Sequence, residues 1–336
     1  MMKWIKNIFI ILLCLLVIYT LISIINSENP SYLVNGISKL IGNFHFVLLF
    51  LALFTIAFLF RAVRWNILLL ENFSSKLYFF KLIFIAWFLN AVTPARLGDI
   101  SCVYYPKKDK KATAGKSLLA LFIVRLMDIS FLLILLMFWT LFGFSITDNK
   151  YQIWVIFVVL SLLIMFLLFM VLSIFYPQIF IKILSYIPNE KLKVNGVKIM
   201  QNFREGIKSL SKSPEILINS IVFTLIIWIL ESTSVILIST ALGFKLNLEI
   251  CLMAATLGFI GAAIPLLPSG LGSYEAGIAS VLYFLGNVNL QSAILIAFFD
   301  HIIRQLYVII IGGILFLTRN TSISEIKEPN LLTNLN

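Results

Sequence analysis

Residues 117–143 read SLLALFIVRLMDISFLLILLMFWTLFG. As a helix, this run is long enough to cross the hydrocarbon layer of a membrane, which takes about 20 apolar residues. Its charged side chains are Arg125 and Asp128. An ionised side chain at mid-membrane costs about 2.5–3.5 kcal/mol on insertion scales, so each needs a partner or a function. The spacing of three puts both side chains on one face of the helix, where they can pair.

The composition of the whole chain agrees with a membrane environment. Of the 336 residues, 61% are hydrophobic and 12% are charged, whereas a soluble domain carries about 25% charged residues. The net charge of +11 comes from lysines and arginines that cluster between apolar segments. This pattern is typical of cytoplasmic loops beside an anionic leaflet, so we expect no nucleic-acid partner. Three scattered cysteines and two histidines predict no disulfide framework, no metal site and no cofactor.

Some apolar segments fit the length rule for a spanning helix and others do not. Six fit it: roughly 5–25, 44–63, 117–143, 151–176, 215–243 and 291–318. Residues 78–93 are too short, and residues 249–286 are interrupted near the middle. The predicted breaks are at Pro94 and Gly98, just after the first of these stretches, and at Pro268, Gly270 and Gly272 within the second.

Basic residues beside the apolar segments predict the topology, because they are retained on the cytoplasmic side. Lys3 and Lys6 put the N-terminus in the cytoplasm. Both flanks of residues 78–93 are basic, so this stretch is predicted to enter and leave by the cytoplasmic face as a re-entrant hairpin. Both ends of residues 249–286 are predicted to lie outside, as a second hairpin of opposite orientation. If residues 78–93 instead cross the whole membrane, the inside and outside assignments of all later loops are reversed.

The order of segments indicates an internal repeat. Residues 44–143 read helix, hairpin, helix, and residues 215–318 read the same with opposite orientation. The breaks share the pattern P-x-x-L-G, in Pro94-Ala-Arg-Leu-Gly-Asp99 and Pro268-Ser-Gly-Leu-Gly-Ser-Tyr-Glu275. Interrupted segments at corresponding positions of two inverted halves usually mark the binding site of a transporter.

The fold class is therefore predicted to be an all-α integral membrane protein with about six full spans, two opposed re-entrant hairpins and an inverted repeat. Residues 1–320 are predicted to form one transmembrane domain, and residues 321–336 a polar tail. Within this domain, residues 177–214 are predicted to be a cytoplasmic amphipathic segment. It either lies in the headgroup plane or forms a solvated connector.

Ionisable residues near the breaks are candidates for contact with a headgroup. Arg96 suits a phosphate through its planar fork, and Asp99 lies beside it. The alternative for both is a shallow, interfacial position. Glu275 follows the second break and either contacts substrate, carries a proton or pairs with an arginine.

Further ionisable residues lie within the apolar helices. Asp300 and Arg304 are four apart on one face of a helix, beside His301. With Arg125 and Asp128, they either line a path or are neutralised pairs that hold the bundle. Glu231 is neutral, bonded to nearby hydroxyls, or part of the same path. Arg61 and Arg64, with Trp65, are predicted to be interface anchors. The candidate translocation residues are Arg96, Asp99, Arg125, Asp128, Glu231, Glu275, Asp300 and Arg304.

Enzyme signatures do not occur in the sequence. It contains no Walker A motif, no G-x-S-x-G elbow, no H-E-x-x-H pair and no aspartate-rich metal motif. We therefore expect no catalytic activity.

Five motifs carry a resemblance to a known family. They are Arg61-Ala-Val-Arg64-Trp, Asn90-Ala-Val-Thr-Pro-Ala-Arg-Leu-Gly-Asp99, Val124-Arg125-Leu-Met-Asp128, Pro268-Ser-Gly-Leu-Gly-Ser-Tyr-Glu275 and His301-Ile-Ile-Arg304. In these motifs the chain resembles the lysylphosphatidylglycerol synthase transmembrane, or flippase-like, family, over essentially its whole length. The resemblance implies a multi-pass protein of the bacterial or archaeal inner (plasma) membrane that moves lipids or lipid-linked intermediates between leaflets. Bifunctional members add a soluble aminoacyl-transfer domain, so synthase activity is not carried over to this sequence.

The predicted function is therefore flippase-like transport of a phospholipid or a lipid-linked intermediate of the polyprenyl-phosphate type, with membrane lipids as partners. One alternative is a transporter of a small soluble anion. Another is a non-catalytic membrane scaffold for glycosyltransferases or other envelope-synthesis enzymes, and a third is a lipid-modifying enzyme within the membrane.

Overall fold

The computed structural model describes residues 2–69, 76–93, 96–142, 212–263 and 267–319, together with isolated positions between 157 and 210. Every regular element in these described ranges is a helix, and no strand occurs in them. The helices are, in chain order, α1 (Met2–Ile25), α2 (Tyr32–Gly42), α3 (Phe44–Leu68), α4 (Lys76–Val92), α5 (Leu97–Lys108), α6 (Ala114–Phe142), α7 (Pro214–Ala241), α8 (Leu248–Ala263), α9 (Ser273–Phe284) and α10 (Leu290–Leu317). A single 3₁₀ turn, Pro268–Gly270, lies between α8 and α9.

Long apolar helices occur at four of the six predicted spans. In α3, α6, α7 and α10, the apolar stretch is long enough to cross a membrane. Helix α1 covers the first predicted span. The part of it whose side chains are described, Ile11–Ile25, is apolar but shorter than a full span. Apart from isolated positions, the predicted span 151–176 lies outside the described residues. So do Pro94, most of the segment 177–214, and the tail 321–336.

The remaining apolar segments form pairs of short helices. Helices α4, α5, α8 and α9 contain 17, 12, 16 and 12 residues, or about 26, 18, 24 and 18 Å at 1.5 Å per residue. Each is shorter than a hydrocarbon layer of about 30 Å. The interruption of residues 249–286 lies where it was predicted, between Ala263 and Ser273. Gly98 lies in the first turn of α5, just after the interruption that it was predicted to mark.

Contacts divide the chain into two compact units. The first contains Met1–Ala57, Leu89–Arg96 and Trp228–Ile311, and the second contains Phe58–Phe88, Leu97–Ile227 and Gly312–Asn336. Several of the long helices therefore contribute one part to each unit.

In the first unit, glycines allow α8 and α9 to pack closely. A Cβ atom on Gly258 would lie 2.7 Å from Cγ1 of Ile278, and one on Gly277 would lie 2.6 Å from the carbonyl oxygen of Leu257. Neither position has room for a side chain, because real Cβ contacts are longer than this. The two helices form a tightly packed hairpin.

The two ends of the α8–α9 hairpin lie together. Gly286 follows α9, and a Cβ atom there would lie 3.3 Å from Cγ2 of Ile250, at the start of α8. In the same unit, a 2.5 Å hydrogen bond joins the Tyr32 and Ser292 hydroxyls and ties α2 to the start of α10.

In the second unit, the start of α4 meets the end of α5. The Tyr78 hydroxyl donates to Oδ2 of Asp109 at 2.8 Å. Arg319, just after α10, donates to the same carboxylate and lies over the rings of Tyr78 and Tyr105, 5.0 Å from each centroid. Burial alone would lower the pKa of Arg319, but the hydrogen bond and charge of Asp109 outweigh it and raise that pKa.

Replacing Gly277 by alanine should separate α8 from α9, because the new Cβ would lie 2.6 Å from the Leu257 carbonyl oxygen and 2.9 Å from Cα of Gly258. We expect a loss of about 1–3 kcal/mol in the free energy of unfolding. The midpoint of thermal unfolding in detergent measures it. The control is Gly42→Ala, where a Cβ has no neighbour within 4 Å. Equal midpoints for both variants would contradict the requirement for close packing.

Candidate functional site

Each unit contains a cluster of ionisable side chains. The basic cluster, in the second unit, contains Arg61, Arg64, Asp99, Arg125 and Asp128. The acidic cluster, in the first unit, contains Glu231, Tyr274, Glu275, Asp300, His301 and Arg304. All eight residues predicted to line a path, except Arg96, belong to one of these two clusters.

The centre of the basic cluster is an ion pair between α3 and α6. Arg64 donates to both carboxylate oxygens of Asp128, with distances of 2.8 and 3.2 Å, and to the Thr224 hydroxyl at 2.6 Å. Arg61 lies 4.0 Å from the same carboxylate, and its guanidinium lies over the ring of Trp87. Because the side chain of Arg64 is 1% exposed, this part of the cluster is sealed.

A second ion pair in the basic cluster is open. Arg125 donates to Asp99, in the first turn of α5, and the two side chains are 37% and 20% exposed. Arg125 lies 11 residues after the start of α6, which is about 16 Å along the helix. Its Nε atom has no hydrogen-bond partner among the described residues. Among the described residues, the cluster has three guanidiniums and two carboxylates, and so more positive than negative groups.

The acidic cluster surrounds Arg304. This side chain donates to Glu231 Oε2 at 3.3 Å and to Ser234 Oγ at 2.9 Å, and its Nη2 lies 3.5 Å from Oδ2 of Asp300. Asp300 and Arg304, which share one face of α10, are thus within ion-pair distance of each other. The aromatic rings over its guanidinium are those of Phe50, Phe54 and Phe259, at 5.3, 4.8 and 5.2 Å.

Glu275 connects the acidic cluster to the second break. Its Oε1 lies 2.7 Å from Nδ1 of His301, and its Oε2 accepts the Gly272 backbone N–H at 2.7 Å. It thus caps the N-terminus of α9. The neighbouring Tyr274 hydroxyl donates to Asp300. Unlike the open pair in the second unit, every ionisable residue of this cluster is at most 3% exposed.

Each cluster connects a short helix to the following long helix, and the sequence separation is the same in both. Asp99 and Arg125 are 26 residues apart, and Glu275 and His301 are also 26 residues apart. In each case a carboxylate near the start of the second short helix meets the following long helix. The first pair is open and the second is sealed.

A second connection follows three positions later on each long helix. Asp128 on α6 pairs with Arg64 of α3, and Arg304 on α10 pairs with Glu231 of α7. Each pair thus joins the last helix of a predicted repeat to its first helix. The acidic residue lies on the last helix in the first pair and on the first helix in the second pair.

Arg96 belongs to the first unit and lies beside the end of α8. Its guanidinium donates to the carbonyl oxygens of Ala262 and Ala263 at 2.8 and 3.0 Å. These are carbonyls that a helix end leaves without partners. Arg96 has φ +51°, and Gly270, at the equivalent place in the second P-x-x-L-G pattern, has φ +75°. A side chain in this left-handed region is strained and indicates a constraint on the residue. Phosphate binding by Arg96 stays a prediction.

The sequence identified most of these residues but not their partners. The spacing of Arg125 and Asp128 allowed them to pair with each other, whereas the structure gives each a partner on another helix. The interpretation of Arg64 as an interface anchor is wrong, because the side chain is buried in the basic cluster. Tyr274 was missed. Its signal was its place beside Glu275, 26 residues before Asp300.

The sequence model of the family described as the lysylphosphatidylglycerol synthase TM region matches residues 5–312. The chain belongs to this family. The resemblance noted in the motifs is therefore confirmed, and this member of the lysylphosphatidylglycerol synthase TM family is a multi-pass membrane protein with at least four apolar helices long enough to span.

Similar proteins from archaea are named UPF0104 membrane proteins. One from Methanocaldococcus jannaschii is 27% identical over 246 residues, which are 72% of this chain and 97% of the relative. One from Pyrococcus horikoshii is 24% identical over 295 residues, or 82% of this chain and 88% of the relative. One from Methanothermobacter thermautotrophicus is 32% identical over 101 residues, 30% of each chain. No solved structure matches the chain.

Removing one partner of the buried Arg64–Asp128 pair should cost more than removing both. In Arg64→Met, the Asp128 carboxylate keeps only the more distant Arg61, at 4.0 Å, as an ionic partner from α3. We expect a loss of about 3–5 kcal/mol in stability. Adding Asp128→Leu removes the stranded carboxylate and should recover most of that loss. Thermal unfolding of both single variants and the double variant measures this. A double variant as unstable as Arg64→Met would contradict it.

Proposed function

We propose that this protein is a flippase-like transporter that moves a lipid with an anionic headgroup between the leaflets of the plasma membrane. The lipid is a phospholipid or a lipid-linked intermediate of the polyprenyl-phosphate type. The observation that carries the proposal is the open Arg125–Asp99 pair, halfway along a helix that is long enough to span.

An exposed guanidinium at this depth limits what surrounds it. A charged side chain facing hydrocarbon is costly, and intramembrane arginines almost always face the bundle interior or a water-filled cavity. The exposed 37% of the Arg125 side chain therefore faces water or a polar headgroup. The positive excess of the basic cluster favours an anion, and the planar guanidinium matches a phosphate group with two hydrogen bonds.

The mechanism that follows is an exchange of partners. In the resting state Asp99 neutralises Arg125. A phosphate that enters from the open side replaces Asp99 as the ionic partner of the Arg125 guanidinium. Asp99 pairs with Arg125 again when the headgroup leaves. The sealed Arg64–Asp128 pair holds α3 against α6 meanwhile. Acyl chains remain in the surrounding lipid, and no covalent bond changes, so we propose a transporter rather than an enzyme.

We further propose that the short helix pairs α4–α5 and α8–α9 are re-entrant hairpins, within a fold of six spans and a cytoplasmic N-terminus. Support comes from the helix lengths and from the adjacent ends of each pair. Tyr78 and Asp109, at the two ends of α4–α5, share a hydrogen bond. Gly286 and Ile250, at the two ends of α8–α9, are also adjacent.

The inverted repeat is also part of the proposal. Its support is the shared separation of 26 residues in the Asp99–Arg125 and Glu275–His301 pairs. Enzymes that attach or remove sugars on a polyprenyl-phosphate carrier are the class of partner that would supply or use such a lipid.

Lipid transfer should depend on the open pair. The measurement is the movement of fluorescent phosphatidylglycerol, and of a fluorescent polyprenyl-phosphate analogue, between the leaflets of proteoliposomes. We expect transfer by the wild type, and a loss of about tenfold or more in Arg125→Gln, because one strong charge-assisted contact to a phosphate is removed. Asp99→Asn should also slow transfer, because it disturbs the partner exchange.

The matched control for Arg125→Gln is Lys245→Gln, which removes one positive charge from an exposed position before α8. It should transfer lipid at the wild-type rate. If wild type moves none of these lipids but takes up inorganic phosphate, the small-anion alternative is correct. If Arg125→Gln is folded and as active as wild type, the basic cluster is not the path.

Cysteine labelling tests the hairpins in a variant without the three native cysteines. Single cysteines at Lys76 and Lys110, the exposed flanks of α4–α5, should react with a membrane-impermeant maleimide from one face. Cysteines at the exposed Asn247 and Asn287 should react from the other face. If the two members of either pair react from opposite faces, that helix pair crosses the membrane and the proposed topology is wrong.

A further inference from the structure

Among the residues that the structure describes, the acidic cluster carries more carboxyl groups than cationic groups. It contains three carboxyl groups, one guanidinium and one imidazole. Arg304 contacts the carboxylates of Glu231 and Asp300. If Glu231, Glu275 and Asp300 were all ionised and His301 neutral, the cluster would hold an excess of negative charge in a site that is at most 3% exposed.

A buried negative charge without a neutralising partner costs several kcal/mol. The site is therefore expected to bind a compensating positive charge. Three atoms of the cluster have no hydrogen-bond partner among the described residues: Nε2 of His301, Oδ1 of Asp300 and Nε of Arg304. All three belong to residues that are at least 97% buried. The site therefore has an unmet requirement for positive charge as well as unused polar atoms.

We infer that the Glu275–His301 pair is a reversible proton-binding site that faces Oε1 of Glu275 against Nδ1 of His301. Before the proton binds, the Nδ1–H of the neutral imidazole donates to the Glu275 carboxylate, and after it binds the pair is either imidazolium with carboxylate or imidazole with carboxylic acid. The two atoms are 2.7 Å apart, within range for a hydrogen bond in which either group carries the proton. Histidine suits this role because its ordinary titration range includes physiological pH.

A proton fits the site better than a metal cation does. Sodium and other hard cations take several oxygen ligands, whereas the nearest partner of Glu275 Oε1 is an imidazole nitrogen. Within the described part of the chain, no group of three His, Cys, Asp or Glu residues is arranged to hold a metal ion. A proton needs only the two facing atoms.

The charges around the pair come from three helices. From α7, Glu231 faces the cluster, and from α10, Asp300 and Arg304 do so. From α9, Tyr274 contributes a hydroxyl that is hydrogen-bonded to Asp300. From α3 and α8, aromatic rings lie over the Arg304 guanidinium.

The proton would be coupled to the second break through the other oxygen of Glu275. Oε2 accepts the backbone N–H of Gly272, whose φ is +86°. A carboxylate accepts this hydrogen bond more strongly than a carboxylic acid does, so proton occupancy changes how firmly the turn after Pro268–Gly270 is held. Coupling to lipid movement rests on the proposed function, whereas proton binding itself does not.

The direct test is an infrared titration of the full chain in lipid nanodiscs. Acidification of the wild type should produce the carbonyl band of a protonated carboxylic acid or the band of an imidazolium. The band should be lost in Glu275→Gln and altered in His301→Gln, which also serves if the first variant does not fold. The control Glu249→Gln removes an exposed carboxyl from the first turn of α8 and should keep the band. A wild-type spectrum without a titrating band, or one unchanged in folded Glu275→Gln, would overturn the inference.

Lipid transfer with and without an imposed pH gradient separates this inference from the proposed function. If the titrating band depends on Glu275 but no lipid moves, the proton site stands and the lipid proposal fails. If lipid moves but no band titrates, the proton site fails and the lipid proposal stands. When both hold, the gradient should accelerate transfer by wild type and Glu249→Gln, but not by Glu275→Gln.

Discussion

An ionised side chain inside a hydrocarbon layer is stable only when another polar group neutralises or solvates it, and this constraint organises the chain. Arg64, Asp128, Glu231 and Arg304 all lie on long apolar helices, and each finds its ionic partner on another helix. Once these pairs form, α3 is fixed against α6 in one unit, and α7 against α10 in the other. The packed glycines of α8–α9 and the contacts of Tyr78, Asp109 and Arg319 then bring the ends of the short helices together.

The same pattern of ion pairs between helices leaves a different balance of charge in the two units. In the second unit, a cationic excess remains and the Arg125–Asp99 pair is open. In the first unit, an excess of carboxyl groups is sealed from solvent. An open site with spare positive charge suits an anionic headgroup, and a sealed site with spare negative charge suits a proton. In the proposed transporter, substrate binding and proton coupling would be divided between the two clusters.

Much of this arrangement follows from the sequence because the membrane restricts the possibilities. Run length alone predicts the spans at α3, α6, α7 and α10, and Pro268, Gly270 and Gly272 locate the second break. The ion-pair partners do not follow from it. Arg125 and Asp128 share a helix face and satisfy each other in any local view, but tertiary packing brings Asp99 and Arg64 within reach. Arg64 resembles an anchor because it lies close to the end of its helix, and only the position of Asp128 explains its burial.

The central claim is that the open side of the basic cluster receives a lipid headgroup, and an electron cryo-microscopy structure in nanodiscs of anionic phospholipid tests it most directly. Headgroup density within hydrogen-bond distance of the Arg125 guanidinium, with its acyl chains in the bilayer, is the expected result. Density that shows Arg125 against acyl chains alone, or closed off by protein with no headgroup beside it, would contradict the claim.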